Sequence, residues 1–178
     1  MTLSMRVDFE RLVLPHLDAA HNLARWLVRD AAMADDVVQD AAVRALIYFS
    51  SYRGGDARAW LLRIVRNTAY DALSARKRTA SAGLDDHGLA DDGPALQVPE
   101  GADDPEMALS GRERSAELAT ALAALPVELR ECLVLYELEE LSYRDIAHVT
   151  GVPIGTVMSR LWRARQALMR GRLEREQA

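Results

Sequence analysis

The sequence predicts an all-α protein of two small helical domains joined by a flexible acidic linker. Apolar residues recur at helical three-and-four spacing on both sides of a central segment, and nothing alternates with period two over a useful length. Residues 79–111 hold eight acidic residues and no Lys or Arg, and are rich in Gly, Pro and Asp. The division is 1–78, a linker over 79–104, and 105–178. An acidic loop that repels DNA or shields basic surfaces is the alternative to a plain tether.

In the first domain Phe9, Leu12, Val13, Leu17, Ala20, Leu23, Ala24 and Leu27 mark a first helix. A second starts near Met33 or Ala34 and turns Val37, Val38, Ala41, Ala45 and Leu46 inward. Residues 47–55, IYFSSYRGG, break the pattern with aromatics, serines and two glycines. Asp56 then caps a third helix running to about Lys77. Leu61, Ile64, Val65, Thr68 and Ala72 form its inner face. Arg63, Arg66, Asn67, Tyr70, Ser74 and Lys77 lie opposite, a mixture suited to phosphate pairing, base-edge hydrogen bonds and stacking. Arg76 to Arg78 also complement the helix dipole, which needs no nucleic acid.

In the second domain Asp104-Pro105-Glu106 reads as a helix start. Leu109, Ala116, Leu118, Ala119, Leu122 and Leu125 follow at helical spacing. Pro126 opens another helix with Leu129, Cys132, Leu133 and Leu135 to Leu138. The stretch 141–168, LSYRDIAHVTGVPIGTVMSRLWRARQAL, reads as a helix-turn-helix. Ser142 and Asp145 form a capping-box variant, Gly151 suits a left-handed helix end, and Pro153 suits the next first turn. On the second helix Ile154, Val157, Leu161, Ala164 and Leu168 share one face. Gly155, Ser159 and Gln166 point away, flanked by Thr156, Trp162 and Arg163, with Arg160 and Arg165 at the edges. Small polar groups with Arg suit base edges, and flanking Arg suits phosphates. A solvated amphipathic helix in a bundle is the plain alternative. The charged tail after Gly171 is expected to fray.

The chain has 178 residues, 49% hydrophobic and 28% charged, ordinary values for a folded protein. Its net charge of −5 sits in the linker, since residues 1–78 carry an excess of basic groups and 112–178 are balanced. No apolar run approaches a membrane span and no leader opens the chain, so a cytoplasmic protein is expected. Cys132, the single cysteine, excludes an intrachain disulfide and suits a buried apolar role. His16, His21, His87 and His148 lack metal-ligand spacing, and no phosphate loop or nucleophile–base pair is visible. A binding protein without metal, cofactor or catalysis is expected.

Four motifs in order carry a family resemblance: Ala34 to Ala45, ADDVVQDAAVRA; Arg58 to Asp71, RAWLLRIVRNTAYD; Leu125-Pro126; and Gly155 to Arg165, GTVMSRLWRAR. Together they resemble bacterial RNA polymerase sigma factors of the extracytoplasmic-function (ECF) type. The resemblance implies that 1–78 is sigma region 2, which binds core polymerase and melts the minus-ten element. It implies that 105–178 is region 4, which reads the minus-thirty-five element. Asp36, Gln39, Asp40 and Arg44 are then polymerase-facing, and Ser51 to Asp56 form the loop that captures a flipped base. Arg63, Arg66, Asn67, Tyr70 and Lys77 face the promoter on region 2, and Thr156, Ser159, Arg160, Trp162 and Arg163 do so on region 4. Met158 departs from the Lys or Arg common there, and Asp40 from the commoner Glu. An anti-sigma factor is an implied partner. The alternative is a sigma-like decoy that sequesters an anti-sigma factor without binding DNA, though such a decoy needs no basic recognition helix.

Overall fold

A computed structural model describes residues 3–81 and 115–176, and among them it contains helices and turns and no strand. The first half holds α1 (Leu3–Leu12), α2 (Leu17–Val28), α3 (Ala31–Tyr48) and α4 (Ala57–Ser81). The second holds α5 (115–123), α6 (Val127–Glu137), α7 (Tyr143–Thr150) and α8 (Ile154–Glu176). Most of the expected linker, and the helix start at Asp104 with Leu109, lie outside the described residues.

Local chemistry sets the boundaries. The single first helix is divided, because Pro15 brings no N–H and forces a 3₁₀ turn at Leu14–His16 between α1 and α2. Asp30 caps α3, which begins at Ala31, two to three residues earlier than expected, its carboxylate accepting from the Met33 N–H at 3.0 Å. Asp56 accepts from the N–H groups of Arg58 and Ala59, at 2.9 and 3.2 Å, as expected of the α4 cap. Arg76 to Arg78 do not end α4, which continues to Ser81. The tail expected to fray after Gly171 is helical through Glu176.

Trp26, Leu23, Leu27, Leu61, Leu62 and Val65 fill the core of the first half, and Val134, Leu135, Ile146 and Leu161 that of the second. These form one continuous cluster, because α2 packs on α6 and α4 on α7. Two α4 burials lie off the face that the sequence suggested, Leu62 and Ala69, on a helix that packs against α2, α3 and α7. Closure between the halves explains α6, where Arg130 to Leu135 are all buried. A helix covered on every side must bury its charged residues too, and those then need partners.

Five expected apolar positions are exposed: Leu46, Ala116, Leu118, Leu138 and Ile154. Ile154 lies in the first turn of α8 and is 45% exposed. Leu46 lies on the outer side of α3, and Leu118 on the outer side of α5.

Candidate nucleic-acid interface

The helix-turn-helix forms from the local signals in α7 and α8. Ser142 Oγ accepts from the Asp145 N–H at 3.2 Å, while the Asp145 carboxylate accepts a hydrogen bond from the Ser142 hydroxyl rather than from a backbone N–H. Gly151 ends α7 at φ +71°, where a side chain would be strained, and its N–H donates to Ala147 O at 2.9 Å. The Pro153 carbonyl receives the Thr156 and Val157 N–H groups at 2.9 and 3.1 Å, which starts α8.

Val157, Leu161 and Ala164 are buried under α8, with Leu168 half-buried. Ser159, Trp162 and Arg163 stand outward beside a half-buried Thr156. Trp162 is 64% exposed and Met158 53%, large values for apolar side chains on a folded surface. This outer face offers a hydroxyl, a guanidinium and an aromatic edge on one rigid helix. Arg165 is occupied by Glu137 at 2.9 Å and lies over the Tyr136 ring.

On α4, Arg63, Asn67 and Lys77 are exposed, whereas Arg66 and Tyr70 are half-buried. The Arg66 guanidinium lies 4.0 Å above the Tyr70 ring and donates to Glu131 of α6 at 3.0 and 3.3 Å. Burial alone would lower the Arg66 pKa, but the hydrogen bonds and charge of Glu131 outweigh it and hold the pKa up. Burial and the nearby Glu131 charge raise the Tyr70 pKa, so its phenol stays protonated. Arg160 of α8 donates to the same carboxylate at 3.1 Å. Two of the expected promoter-facing arginines, one from each half, thus meet on one acid rather than facing solvent.

The loop before α4 is braced from within. Phe49 stacks with Tyr52 at 5.8 Å, and Trp60 meets the Tyr52 ring at 5.3 Å. Gly54 and Gly55 take φ of +87° and +97°, and the Tyr52 hydroxyl donates to Gly55 O. Ser51, Arg53 and Asp56 are exposed around this turn.

Asp36, Gln39 and Asp40 are exposed on α3, next to the exposed apolar residues Val43 and Ile47. Arg44 bridges Asp40 at 2.9 Å and Asp71 of α4 at 3.0 Å, so it orients this face as well as belonging to it.

Of the residues that join the halves, Arg66 was singled out from the sequence only as promoter-facing, and Asn22, Arg130, Glu131 and Glu139 were not singled out. Arg130 is buried and donates to Ala123 O, Leu125 O and, across the seam, Leu27 O at 3.3 Å. Burial, with the neighbouring Arg29 charge, lowers its pKa to about 10. Glu139 is buried and accepts from Asn22 and Arg58. The one available signal was the charged pair Arg130-Glu131 beside the apolar run Cys132 to Leu135.

A sigma-70 region 2 family model matches residues 12–79, and a sigma-70 region 4 model matches 115–168. The RNA polymerase sigma-H factor of Pseudomonas aeruginosa is 38% identical over 164 residues, covering 90% of this chain and 83% of that protein. The chain belongs to the ECF RNA polymerase sigma factor family. The ECF sigma-E factor of Escherichia coli K12 is 35% identical over 154 residues, 83% of this chain and 79% of that one. Among solved structures, a Bartonella quintana sigma factor RpoE in complex with the anti-sigma factor NepR covers 92% of this chain and 95% of its own, with TM-score 0.72 and 29% identity. CnrH in complex with the cytosolic domain of CnrY covers 92% and 86%, with TM-score 0.61 and 26% identity. The helix-turn-helix of this ECF sigma factor is therefore its region 4 DNA-binding motif. No described helix is long and apolar enough to cross a membrane.

Proposed function

We propose that this sigma factor binds core RNA polymerase through α3 and directs promoter-specific initiation. Region 2, assigned to 1–78, melts the minus-ten element, and region 4, assigned to 105–178, reads the minus-thirty-five element. The outward face of α8 carries the proposal: Ser159, Trp162 and Arg163 are exposed on a helix whose opposite side is locked into the core, the Ser159 hydroxyl donating to Thr156 O at 3.1 Å and keeping its acceptor capacity outward. In a major groove such a face offers a hydroxyl and a guanidinium to base edges, with Thr156 at the helix start beside them.

On region 2, the exposed Arg63, Asn67 and Lys77 would track phosphates and bases along the opened strand. A base must leave the stack before a pocket can read it, and the positive-φ glycines let the loop backbone approach such a base closely. Asp36, Gln39 and Asp40 beside Val43 and Ile47 supply the mixed acidic and apolar surface expected of a polymerase contact.

An anti-sigma factor is the third proposed partner, because both solved sigma factors named above are in complex with one. The decoy alternative lacks a supporting feature, since decoying leaves no use for the exposed Ser159–Arg163 face. Polymerase pull-down with Ile47→Glu tests the α3 assignment. Loss of core binding with an unchanged thermal melt is expected, and unchanged binding would remove α3 from the polymerase contact.

A further inference from the structure

We propose that Glu131 and Glu139 act as internal phosphate mimics, masking Arg66 and Arg58 as a phosphate-binding pair until the two halves part. This rests on the promoter-binding role proposed above and adds its regulation.

The geometry is specific. Glu131 is 0% exposed and its Oε1 atom receives Arg66 Nη2 at 3.3 Å and Arg160 Nη1 at 3.1 Å. The guanidiniums of a region 2 helix and a region 4 helix therefore lie a few ångströms apart. The minus-ten and minus-thirty-five elements are separated by about 25 base pairs, on the order of 85 Å of duplex. One closed molecule cannot serve both. Opening must pull Arg66 of α4 from Glu131 of α6 and frees it for solvent or DNA, while Arg160 of α8, in the same half as Glu131, keeps its acid.

Glu139 repeats the device at the other end of the seam. It is 4% exposed and comes from the turn after α6, yet it accepts from Asn22 of α2 and from Arg58 at the start of α4. Arg58 lies two residues after the Ser51–Asp56 loop, which puts a further cation beside the proposed base-capturing turn. A buried carboxylate held by arginine forks presents the charge and oxygen spacing that a DNA phosphate presents, and the same forks accept either. In the closed form the arginines are also spared non-specific contact with nucleic acid.

The test uses the full chain carrying Glu131→Gln and Glu139→Gln, singly and together. Glutamine keeps the size and one acceptor but removes the charge, leaving the arginines nearly buried without a counter-ion. Spin labels at Ala75→Cys and Arg144→Cys, both exposed and one in each half, report separation by pulsed dipolar spectroscopy. Native Cys132 is buried and stays unlabelled. A fluorescent duplex of scrambled sequence reports non-specific DNA binding against salt.

In the wild type a short, narrow label distance is expected, and in the double variant a longer, broader one. DNA binding should tighten about tenfold, as when the competent open form rises from roughly a tenth of molecules to most of them. The salt dependence should steepen by about 0.9 per released arginine that meets a phosphate. A wild type already open, or a double variant that stays closed, overturns the lock. Separation without tighter, steeper binding overturns the phosphate role. Should Glu131→Gln fail to fold by circular dichroism, Glu139→Gln alone carries the test, with a steepening of about 0.9 for Arg58 expected and an unchanged slope contradicting it. Core-polymerase binding by the wild type is measured in parallel. Its absence alongside a steepened slope defeats the sigma mechanism and leaves the masking intact.

Discussion

The two longest described helices, α4 and α8, carry the same kind of residue in opposite states. On α8 the face with Ser159, Trp162 and Arg163 is open, while Arg160 alone is drawn into the seam. On α4 the seam takes Arg58, Arg66 and Tyr70 and leaves Arg63, Asn67 and Lys77 outside. The difference comes from α6 and α7, which cover one flank of α4 but touch α8 only from its inner side. The face assigned to upstream reading on the proposed mechanism is open in the closed form, whereas the face assigned to melting is only half open. On the proposed mechanism this ordering suits a factor that must not hold single strands before polymerase has placed it.

The largest effect separates two adjacent residues of α8. Leu161 is 1% exposed, and Leu161→Ala should cost about 2–5 kcal/mol of stability in denaturant melts. Trp162→Ala should change stability by no more than about 0.5 kcal/mol, with its cost appearing in promoter binding instead. Equal losses of stability at both positions would mean that the outer face of α8 is packed, not open.

Cys132 reports on the sealed side. Burial first, and then the Glu131 charge, push its thiol up to about 11 from an ordinary 9.0. In the fold the thiol keeps its proton while the unfolded chain loses it, so stability is full below pH 9 and falls as pH rises toward 11. The loss attributable to this group is about 2–3 kcal/mol. It should vanish in Cys132→Ala, measured as the difference between the two stability-against-pH curves. Parallel curves would show that the seam admits water.

Arg163→Ala addresses the open face directly. Promoter binding should weaken by about 1–3 kcal/mol, with the melting temperature held. The same change at the masked Arg66 should lower stability as well, because it leaves Glu131 with Arg160 alone. A smaller effect is expected at the start of α4. Asp56→Ala removes the cap that holds the Arg58 and Ala59 N–H groups and should cost about 1 kcal/mol in thermal unfolding.

The open face was legible in the sequence and the sealed one was not, for a physical reason. Caps, the glycine at Gly151 and the period of Val157, Leu161 and Ala164 act within a few residues, so the helix-turn-helix and its outward side chains follow from local patterning. Glu131 and Arg66 are 65 positions apart, and Glu139 and Asn22 are 117 apart, so no local period records their pairing. Leu62 and Ala69 were missed because α4 packs against α7 of the other half as well as against α2 and α3, so more than one of its faces is covered. Pro15 was a local signal hidden beneath an otherwise continuous helical pattern.

Reconstituted transcription tests the central claim most directly. Core polymerase, the purified chain and a library of promoter fragments are mixed, and initiation is mapped by run-off products. The two-surface account predicts initiation at a defined start site that depends on both upstream elements, lost when Arg163→Ala is paired with a changed minus-thirty-five element and retained by core-binding controls. Failure of the chain to bind core polymerase, or transcripts starting without regard to those elements, would contradict it.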